Sequence, residues 1–309
     1  MNGVITIYKE KGYTSFHIVY ELRKLSGESK VGHTGTLDPD VTGVLPVCLG
    51  KATKLVGQLT DTDKKYSCRM RFGIRTDTQD LSGEVLESML EDKVQKKLRD
   101  PGNVREAVLS FVGEISQIPP MYSALKVDGM KLVNAARKGV TVERKPRKVT
   151  IYSIRDIVIS PDLLEASFEV HCSKGTYIRT LCEDIGRALG VPSCMEQLER
   201  TYAAGLGLSD AVSLDQVKRF AQENRLEELL IPADRFLTVY PSLCVREQGV
   251  RKLHYGNYLY QDDLAEPDSL IRDQIYRIYD ENGMFYALYR YDGKDNCLKC
   301  IKMFVDTIQ

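Results

Sequence analysis

The sequence predicts a fold that contains both helices and strands and ends in a small strand-rich module. Over roughly the first 240 residues, short β-branched and aromatic runs alternate with segments of helical periodicity. After Pro241, three strand-like runs follow one another, and an Asn282-Gly283 turn joins the first two. A composition of 43% hydrophobic and 28% charged residues is typical of a globular protein. We therefore expect two domains, residues 1–240 and residues 241–309.

The N-terminal segment predicts a strand, then a helix, then a long loop. Residues 4–8 form a β-branched and aromatic run, and Thr14 or Ser15 can cap the helix that follows. The apolar residues of that helix are Phe16, Val19, Leu22 and Leu25. Residues 31–50 contain four glycines and two prolines, which favour tight turns over a regular element. Such a loop is a common position for functional residues.

The middle of the chain predicts further strands and helices. Residues 174–179 lie between a strand and a helix that stops at Gly190, and side chains at such a junction can point into a cleft. Ser213 and Gln216 can form a capping box that opens another helix. The predicted strands cover residues 66–74, 149–159 and 164–172, and a further short helix covers residues 104–111.

The sequence argues against several classes of protein. No apolar run is long enough for a signal sequence or a membrane span, so we expect a cytoplasmic location. Among eight scattered cysteines only Cys297 and Cys300 form a CxxC pair, and no second pair or nearby histidine completes a metal site. Thiols packed within a strand are therefore favoured over a metal or redox role. Because no Walker loop, dinucleotide fingerprint or zinc signature is present, we expect chemistry without a cofactor or metal.

The charge distribution is uneven although the formal net charge is zero. Residues 131–148 contain seven Lys or Arg residues and one acidic residue. These charges are enough to neutralise several phosphates, but a charge run is more often a solvated face. The basic members are Lys131, Arg137, Lys138, Arg144, Lys145, Arg147 and Lys148.

Asp38 is the candidate for catalysis in the glycine-rich loop. It precedes Pro39, which restricts the backbone of Asp38 and so the direction of its carboxylate. A carboxylate held in this way can act as a nucleophile or base, although a plain Asp-Pro turn is the commoner explanation. Arg179 could orient it through a bidentate guanidinium, or could be a surface charge.

Three further residues are candidates for substrate contacts. Tyr66 and Tyr177 offer flat faces against which an extruded base could be held. His33 lies in the same loop as Asp38, where metal binding, proton transfer, stacking on RNA and loop hydrogen bonding are all open to it. Metal binding is the least favoured of these, since no other ligand lies at the required spacing.

Several long motifs together resemble the bacterial tRNA pseudouridine synthase B family. The strongest is GHTGTLDPDVTGVLPVCLGKATKL at 32–55, which closely resembles the signature loop of that family. The resemblance is strong to about residue 210 and loose beyond it. Further blocks follow in the order typical of the family: KKYSCRMRFG at 64–73, TDTQDLSG at 76–83, IPPMYSALKVDGMKL at 118–132 and CSKGTYIRTLCEDIG at 172–186.

The resemblance implies an α+β catalytic domain around a mixed, largely antiparallel sheet, followed by a small, β-rich PUA-like RNA-binding domain. It implies isomerisation of the uridine at position 55 in the T-loop of tRNA to pseudouridine. Asp38 would be the catalytic aspartate, Arg179 its ion-pair partner, and Tyr66 an aromatic packed on the flipped base. His33, Tyr177 and Leu198 fall where the family contacts the substrate nucleotide. The basic stretch at 131–148, which includes Gly139, would be a mobile segment that closes over the T-arm.

Three positions depart from the family pattern. Glu10 follows Lys9 where a proline is usual, Val133 replaces a common aromatic residue, and Glu199 stands where a basic residue is expected. These departures concern RNA affinity and substrate contact, whereas Asp38 and Arg179 are retained.

Three alternatives remain beside this interpretation. One is the archaeal and eukaryotic relative that works in a guide-RNA particle, although its usual basic extensions are missing here. Another is an RNA chaperone that binds tRNA without catalysis, and a third is a metabolic enzyme with a PUA-like tail. We expect a monomer that needs neither a guide RNA nor an obligate protein partner.

Overall fold

The computed structural model describes residues 1–123, 125–127, 129–140, 142–266 and 270–305. Its strands and helices alternate over most of the chain. The helices are α1 (Ser15–Ser26), α2 (Val56–Thr60), α3 (Glu91–Leu98), α4 (Pro101–Leu109), α5 (Leu132–Arg137), α6 (Ile178–Leu189), α7 (Leu214–Gln222) and α8 (Glu247–Tyr255). The strands of the first part are β1 (Gly3–Lys9), β2 (Val31–His33), β3 (Thr42–Leu49), β4 (Lys64–Phe72), β5 (Ile74–Thr76), β6 (Val85–Ser88), β7 (Gly113–Gln117), β8 (Lys126–Val127), β9 (Met130–Lys131), β10 (Arg147–Ile159), β11 (Glu165–Cys172), β12 (Ser193–Ala203) and β13 (Leu206–Gly207). Four more follow: β14 (Ser242–Val245), β15 (Ile275–Asp280), β16 (Phe285–Asp292) and β17 (Cys297–Met303).

A nine-stranded sheet forms the centre of the molecule. Its main order is β1-β3-β12-β4-β11-β10-β7, with β2 beside β3 and β13 beside β12. Among these described strands, β3 and β12 are parallel and the other pairs are antiparallel. The expected α+β fold with a mixed, largely antiparallel sheet is therefore confirmed.

Helix α1 begins where the sequence predicts. The side chain of Thr14 accepts a hydrogen bond from the His17 amide, and Gly27 ends the helix in the left-handed conformation. Val19 and Leu22 are buried on the predicted apolar face. Phe16, however, is 65% exposed. The helix buries Ile18 instead. Together with Val19 and Leu22, Ile18 forms the buried face of the helix, and position 16 lies outside that face.

The prediction of an irregular loop over residues 31–50 is wrong at both ends, because residues 31–33 form β2 and a longer strand follows Val41. Residues 42–49 form β3, which lies between β1 and β12 in the interior of the sheet. The run is apolar and largely buried, and such runs are typical of strands covered on both faces. Pro46 is tolerated in β3 because the neighbouring strand β2 ends before it and needs no hydrogen bond from its nitrogen. Just beyond the end of β2, the Thr34 amide donates to the Pro46 carbonyl at 3.1 Å.

Other predicted elements agree with the structure within a few residues. Strand β4 ends at Phe72, because Gly73 follows it with a positive φ of 94°. Ser213 and Gln216 form the predicted capping box at the start of α7. Helix α6 stops at Gly190, which is left-handed.

A second sheet follows, with the order β14-β15-β16-β17. It has a hydrophobic core of its own, in which Leu253 of α8 packs with Ile278 and Tyr289. A further apolar cluster joins the two sheets, with Leu288 and Phe304 packed among residues of the first sheet and of α2. Among the described helices, none is long and apolar enough to cross a membrane.

Gly43 allows β3 and β12 to approach each other closely. A Cβ atom at this position would lie 2.2 Å from the carbonyl oxygen of Arg200, and the φ of Gly43 is 106°. Both facts exclude a side chain there, because real Cβ atoms do not come so close to backbone and L-residues avoid this φ.

We predict that Gly43→Ala lowers the free energy of unfolding by about 3 kcal/mol or more, since steric overlap adds to backbone strain. Urea unfolding followed by circular dichroism measures it. Gly57→Ala is the matched control, because its Cβ would meet nothing within 4 Å and alanine favours the helix α2. Equal stability of the two variants would contradict the proposed constraint.

Candidate active site

A cleft of about 480 Å³ opens beside the β2–β3 loop. The start of β4, the β11–α6 junction and β12 form its other walls. Among its lining residues are five of the six site residues predicted from the sequence. These are Asp38, Tyr66, Tyr177, Arg179 and Leu198.

The loop that carries Asp38 is fixed on both sides of the aspartate. Ser15 Oγ accepts a hydrogen bond from the Leu37 amide at 2.8 Å and donates to the Leu37 carbonyl at 3.2 Å. The buried Lys9 Nζ donates to the Pro39 carbonyl at 3.1 Å, and the Gly12 amide donates to the same oxygen at 2.9 Å. The turn between β1 and α1 therefore holds the backbone on which the carboxylate stands.

Arg179 is a buried partner of Asp38. Its Nη2 lies 3.0 Å from Asp38 Oδ2, and its side chain is 7% exposed against 40% for Asp38. The alternative of a surface charge is therefore wrong. The expected bidentate contact is not formed either, because Nη1 lies 3.6 Å from Asp80 and the guanidinium is divided between two carboxylates.

Backbone carbonyls fix the guanidinium in this position. Nη1 of Arg179 donates to the Thr78 carbonyl at 2.9 Å, and Nη2 donates to the Tyr122 carbonyl at 2.7 Å. With its donors directed in this way, Arg179 orients one face of the Asp38 carboxylate and leaves the other facing the cleft.

Burial in the cleft raises the pKa of Asp38 above its ordinary value, because water is partly excluded from the carboxylate. The positive charge of Arg179 lowers the pKa and opposes this rise, while the negative charge of Asp80 adds to it. The pKa of Asp38 therefore depends most directly on Arg179, the cation in contact with the carboxylate.

Tyr66 lies across the β4–β12 pair from Arg200, a residue that the sequence analysis missed. Arg200 is 1% exposed; its Nε donates to the Val44 carbonyl at 2.7 Å and its Nη2 to the Gly35 carbonyl at 3.2 Å. Burial raises the pKa of the Tyr66 phenol, and the charge of Arg200 partly opposes that rise. The spacing in the sequence could have indicated Arg200. It stands two residues after Leu198 in a strand, so both side chains face the cleft.

Gln117 is a second missed residue. It is 1% exposed, its Oε1 accepts from the Tyr177 amide at 3.0 Å, and its Nε2 donates to the Tyr177 carbonyl at 3.2 Å. This pair of bonds ties the end of β7 to the residue that precedes α6. Two residues further on, Arg179 is carried on the same rigid junction.

His33 lies in β2 and is not among the residues that line the cleft. Its Nδ1 accepts a hydrogen bond from the Gly35 amide at 3.3 Å. Burial, and after it the charge of Arg200, lowers the pKa of His33, so the ring stays neutral near pH 7 and can accept this bond. Of the interactions left open for His33 by the sequence, the structure shows the hydrogen bond within the loop.

Basic side chains surround the opening of the cleft. Lys174 pairs with Asp61 at 2.9 Å, and Arg147 and Lys148 of the basic cluster line the same wall. Lys148 also pairs with Glu114 at 2.8 Å. Of the other members of the cluster, Lys131 and Arg137 lie outside the residues whose side chains are described.

The structure describes all eight cysteines as free thiols. Cys297 and Cys300 both lie in β17, as expected of thiols packed within a strand. Within the described part of the chain, no group of three or more His, Cys, Asp or Glu residues could hold a metal ion.

Known proteins resemble this chain over nearly its whole length. Residues 23–178 match the TruB family pseudouridylate synthase N-terminal domain, and residues 179–238 match the tRNA pseudouridylate synthase B C-terminal domain. A relative from Lachnoclostridium phytofermentans is named tRNA pseudouridine synthase B; it is 43% identical over 99% of this chain and 100% of its own length. A Bacillus cereus relative with the same name is 39% identical over 99% of this chain and 98% of its own length.

The fold is also similar to a solved structure. A chain in the crystal structure of a Cbf5-Nop10-Gar1 complex superposes with a TM-score of 0.66 and 26% identity. The match covers 99% of this chain and 85% of that one. Likeness in sequence and likeness in fold therefore extend over the same residues.

We predict that Arg179→Gln raises the pKa of Asp38 further, by about one unit or more, because a contacting positive charge is removed. A carboxyl ¹³C titration by NMR measures this pKa. Arg187→Gln is the control: Arg187 lies on the same helix but is 70% exposed and pairs with Glu183 and Asp184. An unchanged or lowered pKa of Asp38 in Arg179→Gln would refute the assigned role.

Proposed function

Since the chain belongs to the TruB family of pseudouridylate synthases, we propose that it isomerises the uridine at position 55 in the T-loop of tRNA. The chain is an RNA pseudouridine synthase, and its relatives named tRNA pseudouridine synthase B support tRNA as the substrate. The observation that carries the proposal is the half-exposed carboxylate of Asp38, held by the buried Arg179 in the wall of the cleft.

The reaction exchanges one bond of the uracil for another. The bond between N1 and the ribose breaks, the base turns, and a bond forms between C5 and the ribose. The hydrogen on C5 is lost as a proton and N1 gains one, so the atoms balance without an oxidant or reductant. Positioning and a preorganised electrostatic environment can therefore supply the acceleration, and we propose no cofactor.

Asp38 is the catalytic carboxylate in this proposal. It can attack the ribose, attack the base, or remove a proton from the sugar, and each route begins from the ionised carboxylate. Arg179 keeps it ionised and oriented, because the guanidinium contacts Oδ2 while the cleft excludes water. The same ion pair stabilises Asp38 in every route.

The target uridine must leave its stack to reach Asp38. We propose that the ring of Tyr66 packs on the extruded base and that Leu198 and Tyr177 contact the nucleotide, since all three line the cleft. The Tyr66 phenol, beside Arg200, is the group placed to move a proton. We also propose that His33, whose Nδ1 accepts from the Gly35 amide, contacts the substrate nucleotide.

The remaining surface fits a large polyanion. The basic rim of the cleft, which includes Arg147 and Lys148, neutralises phosphates of the T-arm. These two residues begin β10 and end the basic stretch 131–148, whose preceding part is proposed to close over the T-arm. We propose that residues 1–240 form the catalytic domain and that residues 241–309 form a PUA-like domain that adds RNA contacts. The enzyme works in the cytoplasm as a monomer, without a guide RNA or an obligate protein partner. The higher identity to the relatives named tRNA pseudouridine synthase B (43%) than to the Cbf5 chain of a protein complex (26%) supports this.

We predict that Asp38→Asn abolishes pseudouridine formation while the Kd for tRNA changes less than about tenfold, because the carboxylate acts on the chemistry. The purified protein and an unmodified tRNA transcript are incubated without cofactors, and pseudouridine is mapped chemically. Asp40→Asn is the control: Asp40 lies in the same loop, but its side chain is 58% exposed and pairs with Lys11 at 3.9 Å.

A single new pseudouridine at position 55, retained in Asp40→Asn and lost in Asp38→Asn, is the expected result. Tight tRNA binding by the unmodified protein without any product would favour an RNA chaperone. Parallel loss of binding and activity in Asp38→Asn would count against a purely chemical role for the carboxylate.

We predict an acid limb in the pH profile of the single-turnover rate at saturating tRNA. The rate is full when Asp38 is ionised and falls as the pH drops through its pKa, which burial raises above 3.8. The limb therefore lies at higher pH than for an exposed aspartate. In Arg179→Gln the limb should move to still higher pH; movement to lower pH would contradict the assignment.

A further inference from the structure

Aromatic side chains lie on the exposed side of helix α1 and just before its first residue. Tyr13 is 38% exposed, Phe16 65% and Tyr20 56%. Phe16 and Tyr20 are one helical turn apart, so their rings neighbour each other on the surface. Tyr13 stacks on His17, with ring centroids 4.9 Å apart and planes 11° from parallel. We name these four residues, Tyr13, Phe16, His17 and Tyr20, the α1 aromatic strip.

The α1 aromatic strip is not needed for packing of the helix. Ile18, Val19 and Leu22 already form the buried face of α1 and belong to the main hydrophobic core. Single exposed apolar residues are common on protein surfaces, but several aromatic rings side by side indicate a binding surface. Aromatic rings are also the side chains on which unpaired bases stack.

The strip is continuous with the proposed active site. Ser15, next to Phe16, binds the backbone of Leu37 with two hydrogen bonds, and Leu37 precedes Asp38. Lys9 Nζ donates both to the Tyr13 carbonyl, at 2.7 Å, and to the Pro39 carbonyl. The first turn of α1 is therefore joined to the catalytic loop on both sides of Asp38.

Exposed lysines lie at both ends of the strip. Lys24 follows Tyr20 by one helical turn, and Lys11, which pairs with Asp40 at 3.9 Å, precedes Tyr13. Rings between two lysines suit a ligand that combines flat bases with phosphates, such as a single-stranded stretch of RNA.

We propose that unpaired bases of the tRNA next to the target uridine stack on the α1 aromatic strip. This inference rests on the proposed function and adds a second contact surface to it. Bases displaced when the uridine enters the cleft lose their stacking partners. The strip, joined to the loop of Asp38 by those hydrogen bonds, replaces the lost partners and so contributes to affinity more than to chemistry.

The test compares Phe16→Ala and Tyr20→Ala with Leu90→Ala, a control in which an equally exposed apolar side chain is removed away from α1. The Kd for unmodified tRNA should increase roughly fivefold or more in each α1 variant and stay unchanged in the control. Phe16→Tyr keeps an aromatic face and should bind as the unmodified protein does. The single-turnover rate at saturating tRNA should stay within about twofold, as expected for lost binding without lost chemistry.

A second readout separates stacking from ionic contact. The dependence of log Kd on log salt should keep its slope in Phe16→Ala, because stacking releases no counterions. In Lys24→Gln the slope should become shallower. Thermal unfolding checks that all variants fold, and the change is expected to be small because the side chains are exposed.

Unchanged tRNA affinity in Phe16→Ala would overturn the inference, as would an equal loss in Leu90→Ala. A protein dimer that dissociates in Phe16→Ala while RNA binding persists would identify the strip as a protein interface instead. If the unmodified protein forms pseudouridine 55, any of these results refutes only the proposed role of the α1 aromatic strip. If it forms no pseudouridine, the proposed function itself fails.

Discussion

The arrangement of the cleft depends on the burial of one charged side chain, Arg200. A guanidinium taken out of water is stable only when its donors are satisfied, and here the carbonyls of Val44 and Gly35 accept from it. Those carbonyls lie on either side of the Asp38 loop. The close approach of Gly43 to the Arg200 backbone draws the same two strands together. The loop is therefore fixed to the sheet by β12, and to α1 by Ser15.

This construction explains how a carboxylate can stay ionised in a partly dry cleft. Burial alone would favour the neutral acid, but Arg179 contacts Asp38 directly and Lys9 adds a second positive charge nearby. Burial lowers the pKa of Lys9 to about 8, so most of its charge remains near neutral pH. Asp80 acts in the opposite direction, because it shares Arg179 and raises the pKa of Asp38. The ionisation of Asp38 is thus set by a few fixed neighbours more than by solvent.

Much of this arrangement could be predicted from local sequence. The Thr14 cap and the Gly190 stop are local signals, and they placed α1 and α6 correctly. The sequence also placed Asp38 in a constrained loop. What it could not predict were contacts between segments distant in the chain. Gln117 and Tyr177 are 60 residues apart, and nothing near either residue indicates the pairing.

Strand β3 was missed for a related physical reason. Proline and glycine predict turns because proline lacks an amide hydrogen and glycine lacks a side chain. Whether these properties disrupt a strand depends on the strand that lies beside it. At Pro46 the adjacent β2 has already ended, and at Gly43 the partner strand needs a residue without a side chain. Phe16 shows the opposite error: its apolar character suggested burial, although the helix had a complete buried face without it.

The positions that depart from the family pattern can be placed by the same reasoning. Glu199 lies between Leu198 and Arg200 in β12, so it projects from the opposite face of the sheet, where the Tyr8 hydroxyl donates to it at 2.7 Å.

Glu10 is exposed, and its backbone carbonyl still accepts from Lys9 at 3.0 Å, so the turn that supports Asp38 keeps its contact without a proline. The Val133 amide donates to the Ser123 carbonyl at 3.1 Å, a bond that does not depend on the side chain. None of the three side chains contacts Asp38 in the interactions described, so the ion pair with Arg179 is kept.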